Sequence, residues 1–241
     1  VLGKSYPPYR YRLTVEIDTP EGLRRGSSVI EVQTARGGAL TISGGGGGGV
    51  AHHVVGQAVA VDLPNGQTLF ALLRSDWGPE LAEMIYPRQV PHPTRQEVEA
   101  RAVDGKWDPD LEFDMWMERV EASHGDFTVP RWRTGLPQKL SGWPMLVHFR
   151  DIRDPASVAA VDPDELKATF GRGYAVRRVL VQKTDEPASG DIVTRLPWLA
   201  RRPCYLASHP IGPDGFFVPM KDVGLAVHLR CIDFLEKSKL R

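Results

Sequence analysis

The sequence predicts an α+β fold: an antiparallel β-sheet or sandwich of hairpins, with several short helices in the middle of the chain. Three observations carry this. "YRYRLTVEID" alternates, with Leu13, Val15 and Ile17 on one face and Arg12, Thr14, Glu16 and Asp18 on the other, the period of a half-buried strand. A V-x-φ-D-x-P-x-G phrase occurs twice, at Val15–Gly22 and Val59–Gly66, each time between strand-like runs. Helix-start chemistry, by contrast, is concentrated between residues 79 and 122.

In "TPEG", Pro20 is pre-set for a bend and Gly22 is free to take positive φ, and "GSSVIEVQT" reads as the return strand. Asn65-Gly66 is a short-range hairpin signal between "VAVDL" and "QTLFALLRS". Pro79 can open a short helix that stops before Pro87. Thr94 and Glu97 make a capping box for a second helix, through Val103. Asp108-Pro109 starts a third, with Phe113, Trp116, Met117 and Val120 on one stripe. "VPRWRTGLPQKLSGWP" reads as a long loop and "MLVHFRDI" as a strand. In "VDPDELKATFG", Asp162 is the expected cap, Pro163 the first helical residue and Gly171 the stop. "GYAVRRVLVQKTD" is a further strand, and "VGLAVHLRCIDFLEK" suits either strand or helix. These elements are read as one domain, 1–241. Residues 132–142 are the place where a weak subdivision would fall.

Lys plus Arg equals Asp plus Glu at 30 each, giving zero formal net charge. That argues against nucleic acid as a partner, since phosphate contacts call for a basic excess. No apolar run approaches the ~20 residues that span a bilayer. Membrane contact is therefore expected only through a segment upstream of Val1, because a chain beginning at Val reads as one that has lost residues. Tyr6, Tyr9 and Tyr11 beside Arg10 and Arg12 have the composition of a membrane-flanking belt. The preferred reading is an extended lead-in to the first strand. Cys204 and Cys231 suit either one disulfide in an oxidising compartment or two buried thiols.

The stretch "SGGGGGGVAHH", Ser43–His53, raises two chemical questions. A phosphate loop of the G-x-x-x-x-G-K-[ST] type needs a Lys that Gly44–Gly49 is not followed by, and the residues after the run look like strand rather than helix. The run is read as an exposed inter-strand loop. His52 and His53 are metal-ligand candidates, but neighbours on a strand point to opposite faces. No metal or other cofactor is expected. For nucleophilic catalysis, a set drawn from His148, Asp151, Cys204, His209 and His228 has the right residue types without a recognisable spacing. Arg131, Trp132, Arg133, Lys139 and Trp143 form the interaction-surface candidate, because Trp and Arg are enriched where proteins meet partners.

The segments "YRYRLTVEIDTPEG…GSSVIEV" and "FRDIRDPASVAAVDPDELKATFG…VRRVLVQKTDEP" resemble uncharacterised proteobacterial proteins that carry an N-terminal membrane segment or lipoprotein-like signal. The resemblance covers the first hairpin and Pro144–Glu186. It implies a cell-envelope or periplasmic setting and supplies no activity and no functional residue; the chain departs from it at the glycine run. The expected function is a non-enzymatic envelope-associated or protein-interaction domain, with another protein as partner. The alternatives are a hydrolase or ligand-binding enzyme built from the scattered His, Cys and Asp residues, with a cytoplasmic location also open, and a phage or mobile-element accessory protein.

Overall fold

The computed structural model describes residues 3–37, 49–136, 138–201, 204, 206–213 and 223–236. Two antiparallel sheets and a C-terminal layer of short turns make up the architecture. The larger sheet contains β1 (Lys4–Ser5), β2 (Tyr9–Thr19), β3 (Gly22–Arg36), β4 (Val50–Gln57), β7 (Asp126–Val129), β10 (Ala175–Lys183) and β11 (Leu235–Glu236). Its order is β11-β4-β3-β2-β10-β7, with β1 paired to β3. The smaller sheet contains β5 (Val59–Asp62), β6 (Thr68–Ala71), β8 (Leu146–Phe149) and β9 (Val158–Val161), in the order β5-β6-β8-β9.

The two similar phrases become two hairpins, one in each sheet. In both, a Pro enters the turn and the Gly two residues later takes positive φ, 106° at Gly22 and 78° at Gly66. The Asn65-Gly66 signal resolves differently from a two-residue type I′ turn, which needs positive φ at both central residues. No described non-glycine residue has positive φ. The loop instead has three residues, Pro64–Gly66, closed by Leu63 N–H to Gln67 O at 2.8 Å and Gly66 N–H to Leu63 O at 3.0 Å.

The run 50–62 passes from one sheet to the other, with only Ala58 between β4 and β5. The last β3–β4 pair is Glu31 with Val55. Beyond it, β5 crosses β3 so closely that a Cβ on Gly26 would overlap the carbonyl of Ala60. Val29 turns to Ser189, giving its N–H to Oγ and accepting from the Ser189 N–H, both at 2.9 Å. Strands that switch sheets at such corners close a sandwich core. Here that core holds Leu13, Val15 and Ile17 of β2 against Val59 and Val61 of β5, Leu69 of β6 and Leu146 of β8.

The other face of the smaller sheet buries Phe70, Val147, Phe149 and Val158 under Leu196, Trp198, Leu206 and Phe234. Phe149, Trp198 and Phe234 meet at centroid distances of 5.6–5.7 Å. Two backbone bonds fix this layer: Ala58 N–H to Phe234 O and Leu73 N–H to Asp233 O, each 2.8 Å. The ambiguous C-terminal run is a short helix α5 (Leu225–His228), a 3-10 turn (Cys231–Asp233) and β11. Cys204 and Cys231 are joined as a disulfide, with Cα atoms 6.1 Å apart.

The other helices are α1 (Leu81–Met84), α2 (Arg95–Arg101), α3 (Pro109–Ala122) and α4 (Leu166–Phe170). The Thr94–Glu97 capping box is present, and Asp108 caps α3 through the Asp110 N–H at 2.9 Å. α2 stops at Arg101, short of Val103. α4 also departs from expectation: it starts at Leu166, because Asp162 spends its carboxylate on a turn to the Asp164 N–H at 2.9 Å. Gly171, at φ 102°, ends it. The N-terminal tyrosines are core residues rather than a belt. Tyr9 and Tyr11 reach from β2 to the carbonyls of Glu83 and Ala82 in α1, Tyr9 at 3.1 Å, and so satisfy groups that a short helix leaves open. The glycine run lies outside the described residues except for Gly49.

Two predictions follow from this packing. Gly26→Ala should destabilise the protein by about 1–3 kcal/mol, the usual range for overpacking, because the backbone of Ala60 has to move. Denaturant unfolding of the variant reads this directly. Cys204→Ser with Cys231→Ser frees a loop of sequence separation 27 and should cost roughly 3–4 kcal/mol on the chain-entropy model, with the loss seen in the same unfolding curves.

Candidate functional site

The long loop of the sequence reading is a hairpin. Trp132 and Ser141 form a β-bridge, flanked by Arg133 N–H to Leu140 O and Gly142 N–H to Arg131 O, both 2.9 Å. A side chain on Gly142 would run into the carbonyl of Pro130, so the crossing at the hairpin base requires glycine. The Ser141 hydroxyl accepts from the Trp143 N–H at 3.0 Å and from the Arg131 guanidinium at 2.5 Å. Arg131 also grips both carboxylate oxygens of Asp164, ahead of α4, at 3.1 and 3.2 Å. This two-pronged pairing is the strong geometry for arginine.

Around that anchor the structure brings all five sequence candidates together. The Arg131 guanidinium lies 4.1 Å from the ring centre of Trp132 and 5.4 Å from that of Trp143, and Lys139 Nζ lies 4.0 Å from Trp132. Trp143 donates its indole N–H to Val129 O at 2.8 Å. Trp132 and Trp143 are each partly buried, pinned at the base and open above.

Two residues that the sequence reading missed complete the strip. Trp77 is 37% exposed and donates its indole N–H to Ser141 O at 3.2 Å. Arg133 stands 4.9 Å and Arg88 5.7 Å from its ring centre. Trp77 and Arg88 flank α1, some fifty residues before the hairpin, and no periodicity links them to it. The signal that was there is compositional, a Trp in "SDWGP" and an Arg in "YPRQ". Arg88, Arg133 and Lys139 form no ion pair among the described residues. Cation–π contacts of this kind contribute about 0.5–1 kcal/mol at exposed sites and hold the cations up without neutralising them.

The remaining candidates lie elsewhere. His52 and His53 fall on opposite faces of β4. His52 Nδ1 is 3.0 Å from Thr34 Oγ1, and burial lowers its pKa. His53 Nε2 is buried with no hydrogen-bond partner among the described residues. Among the described residues no three His, Cys, Asp or Glu side chains are grouped to hold a metal. Cys204 and Cys231 are consumed by their disulfide, which removes the thiol nucleophile of the hydrolase alternative. His148 packs edge-on to Phe170 at 5.6 Å, while Asp151 is exposed and turned to Arg153. Neither lines either of the two clefts described below, nor do His209 and His228. Among the described residues no helix is long and apolar enough to cross a membrane.

The first cleft, of about 160 Å³, opens beside the strip and contains Arg88 and Arg133. The second, of about 140 Å³, is acidic, lined by Glu80, Glu83, Asp233 and Glu236 with Arg230 among them. Burial raises the carboxyl pKa values of Glu83, Asp233 and Glu236. This outweighs the pull of Arg88 on Glu83, of Arg74 and Arg230 on Asp233, and of His53 and Arg230 on Glu236. A folded pKa above the unfolded one means that the native state binds more protons. Stability from these groups is therefore present below the ordinary carboxylate range and is lost as pH rises through the raised values. Glu236→Gln should accordingly raise the denaturation midpoint near neutral pH and leave it unchanged in acid below the carboxylate range, as measured by urea unfolding at both pH values.

Compared with known proteins, the chain matches no family model, no curated protein and no solved structure.

Proposed function

We propose that this chain is a non-catalytic recognition domain of the bacterial cell envelope, and that it docks another protein through the tryptophan–cation strip of Trp77, Arg131, Trp132, Arg133, Lys139 and Trp143. One observation carries the reading. Three partly exposed indoles are held rigidly by backbone hydrogen bonds or stacked cations, and among the described residues the cations beside them, apart from Arg131, have no carboxylate partner. Many arginines elsewhere sit against carboxylates, among them Arg10, Arg12, Arg177, Arg178 and Arg195. Trp and Arg supply most of the binding energy at protein interfaces, where a rigid ring loses little entropy on contact. The extracytoplasmic part of the reading rests on the Cys204–Cys231 disulfide, since such bonds persist in oxidising compartments.

The test is site-directed photocrosslinking in bacterial envelope extract. A photoreactive residue at position 139 should capture one defined protein. Trp132→Ala should reduce that adduct at least tenfold while the circular dichroism spectrum stays unchanged. The same probe at Arg177, on the exposed face of β10, should not capture it. An adduct formed equally from both positions, or one indifferent to Trp132→Ala, overturns the proposal.

A further inference from the structure

The cleft at the edge of the strip has a composition more specific than that of an interaction surface in general. Its floor and wall are apolar, from Ile85, Val129 and Pro130, and its rim carries Arg88, Gln89, Arg133 and Thr134. Arg88 and Arg133 come from segments more than forty residues apart and converge on the one Trp77 ring, at 5.7 and 4.9 Å. Neither guanidinium donates a hydrogen bond or forms an ion pair within the described residues. Both are partly buried.

Two like charges in that position repel each other and have lost part of their hydration. Burial and the charge of Arg133 push the Arg88 guanidinium down to about 10. Glu80 and Glu83 act on Arg88 only through space and line the other, acidic cleft. Proteins normally pair partly buried charges. The alternative to an internal partner is an external one.

We infer that this cleft is an anion-binding site that takes a carboxylate on a short apolar stem, gripped between the Arg88 and Arg133 guanidinium groups. The choice of carboxylate follows from shape. About 160 Å³ is room for roughly five water molecules, enough for a carboxylate and two or three methylenes against Ile85 and Val129. A guanidinium fork matches a carboxylate with two parallel N–H donations. The Gln89 side-chain amide donates to Ile85 O at 2.8 Å, which holds that side chain in place on the lining of the cleft. Such a stem is presented by a glutamate side chain of a docked protein or by a free dicarboxylic acid. The inference rests on the reading of this face as a recognition surface and names the chemistry of its ligand.

The test titrates the intact protein with three probes by calorimetry: N-acetyl-glutamate amide, glutarate and inorganic phosphate. Saturable binding of the first two is expected. Arg88→Gln and Arg133→Ser should each weaken it at least tenfold, and Arg177→Gln should leave it unchanged. Arg88→Lys keeps the charge but not the fork, and should recover only part of the affinity. That variant also separates a lost site from a lost fold, together with unchanged unfolding curves. Tighter binding of the amide supports a protein side chain as the source, and tighter binding of glutarate a free diacid. No saturable binding of either carboxylate, preference for phosphate, or affinities that survive both arginine replacements overturns the site. The position-139 crosslink distinguishes this failure from that of the broader reading. If the adduct persists at full yield in Arg88→Gln and no carboxylate binds, the cleft assignment falls while the docking surface stands.

Discussion

The structure depends on the place where β5 crosses β3. Gly26 has no side chain, and the carbonyl of Ala60 occupies the space a Cβ would need. That close approach lets one continuous run of chain, interrupted only at Ala58, serve both sheets. Everything inside follows from it. β5 brings Val59 and Val61 down onto Leu13, Val15 and Ile17, and the smaller sheet is left with a second apolar face. That face must be covered, because buried apolar area is the main driving force of the fold. The C-terminal layer covers it, tied by its disulfide and by the two backbone bonds to Ala58 and Leu73.

The same arrangement sets the tryptophan–cation strip. Tyrosines on β2 hold α1 by its carbonyl groups, and the segments on either side of α1 carry Trp77 and Arg88. The 131–142 hairpin is held from the other direction by Arg131, which is bonded to both Asp164 and Ser141. Trp77 closes the gap by donating to Ser141 O. The strip is thus supported from three parts of the chain distant in sequence. Side chains held in place before contact lose less entropy on binding, which is the basis on which docking at this strip is proposed. Two clefts of opposite character lie near α1, one with arginines that form no ion pair among the described residues and one lined by several carboxylates.

Much of the secondary structure was legible because its causes are local. The alternation in β2, the paired Pro and Gly of the two hairpins, the Thr94–Glu97 box and the Asp108-Pro109 start each involve groups a few residues apart. The misreadings have equally local reasons. Asp162 used its carboxylate in a turn and delayed α4 to Leu166. The 131–142 segment carries Gly135, Pro137 and Gly142, which read as loop, and its pairing depends on Gly142 passing close to Pro130. Most of the candidate site was legible too, as the interleaved Trp and basic residues between Arg131 and Trp143. Trp77 and Arg88 were not, because only the folded chain puts them there.

By itself, then, the sequence determined an antiparallel α+β chain, the corners of its hairpins and a single stretch worth suspecting as an interaction surface. These depend on side-chain period and on turn chemistry, which act over a few residues. Tertiary structure alone decided that the two hairpins belong to different sheets, that Cys204 and Cys231 meet, and that two arginines and an indole from separate segments share a cleft. Those outcomes depend on which surfaces can approach within van der Waals contact, as at Gly26 and Ala60. Composition and spacing along the chain carry no record of such approaches.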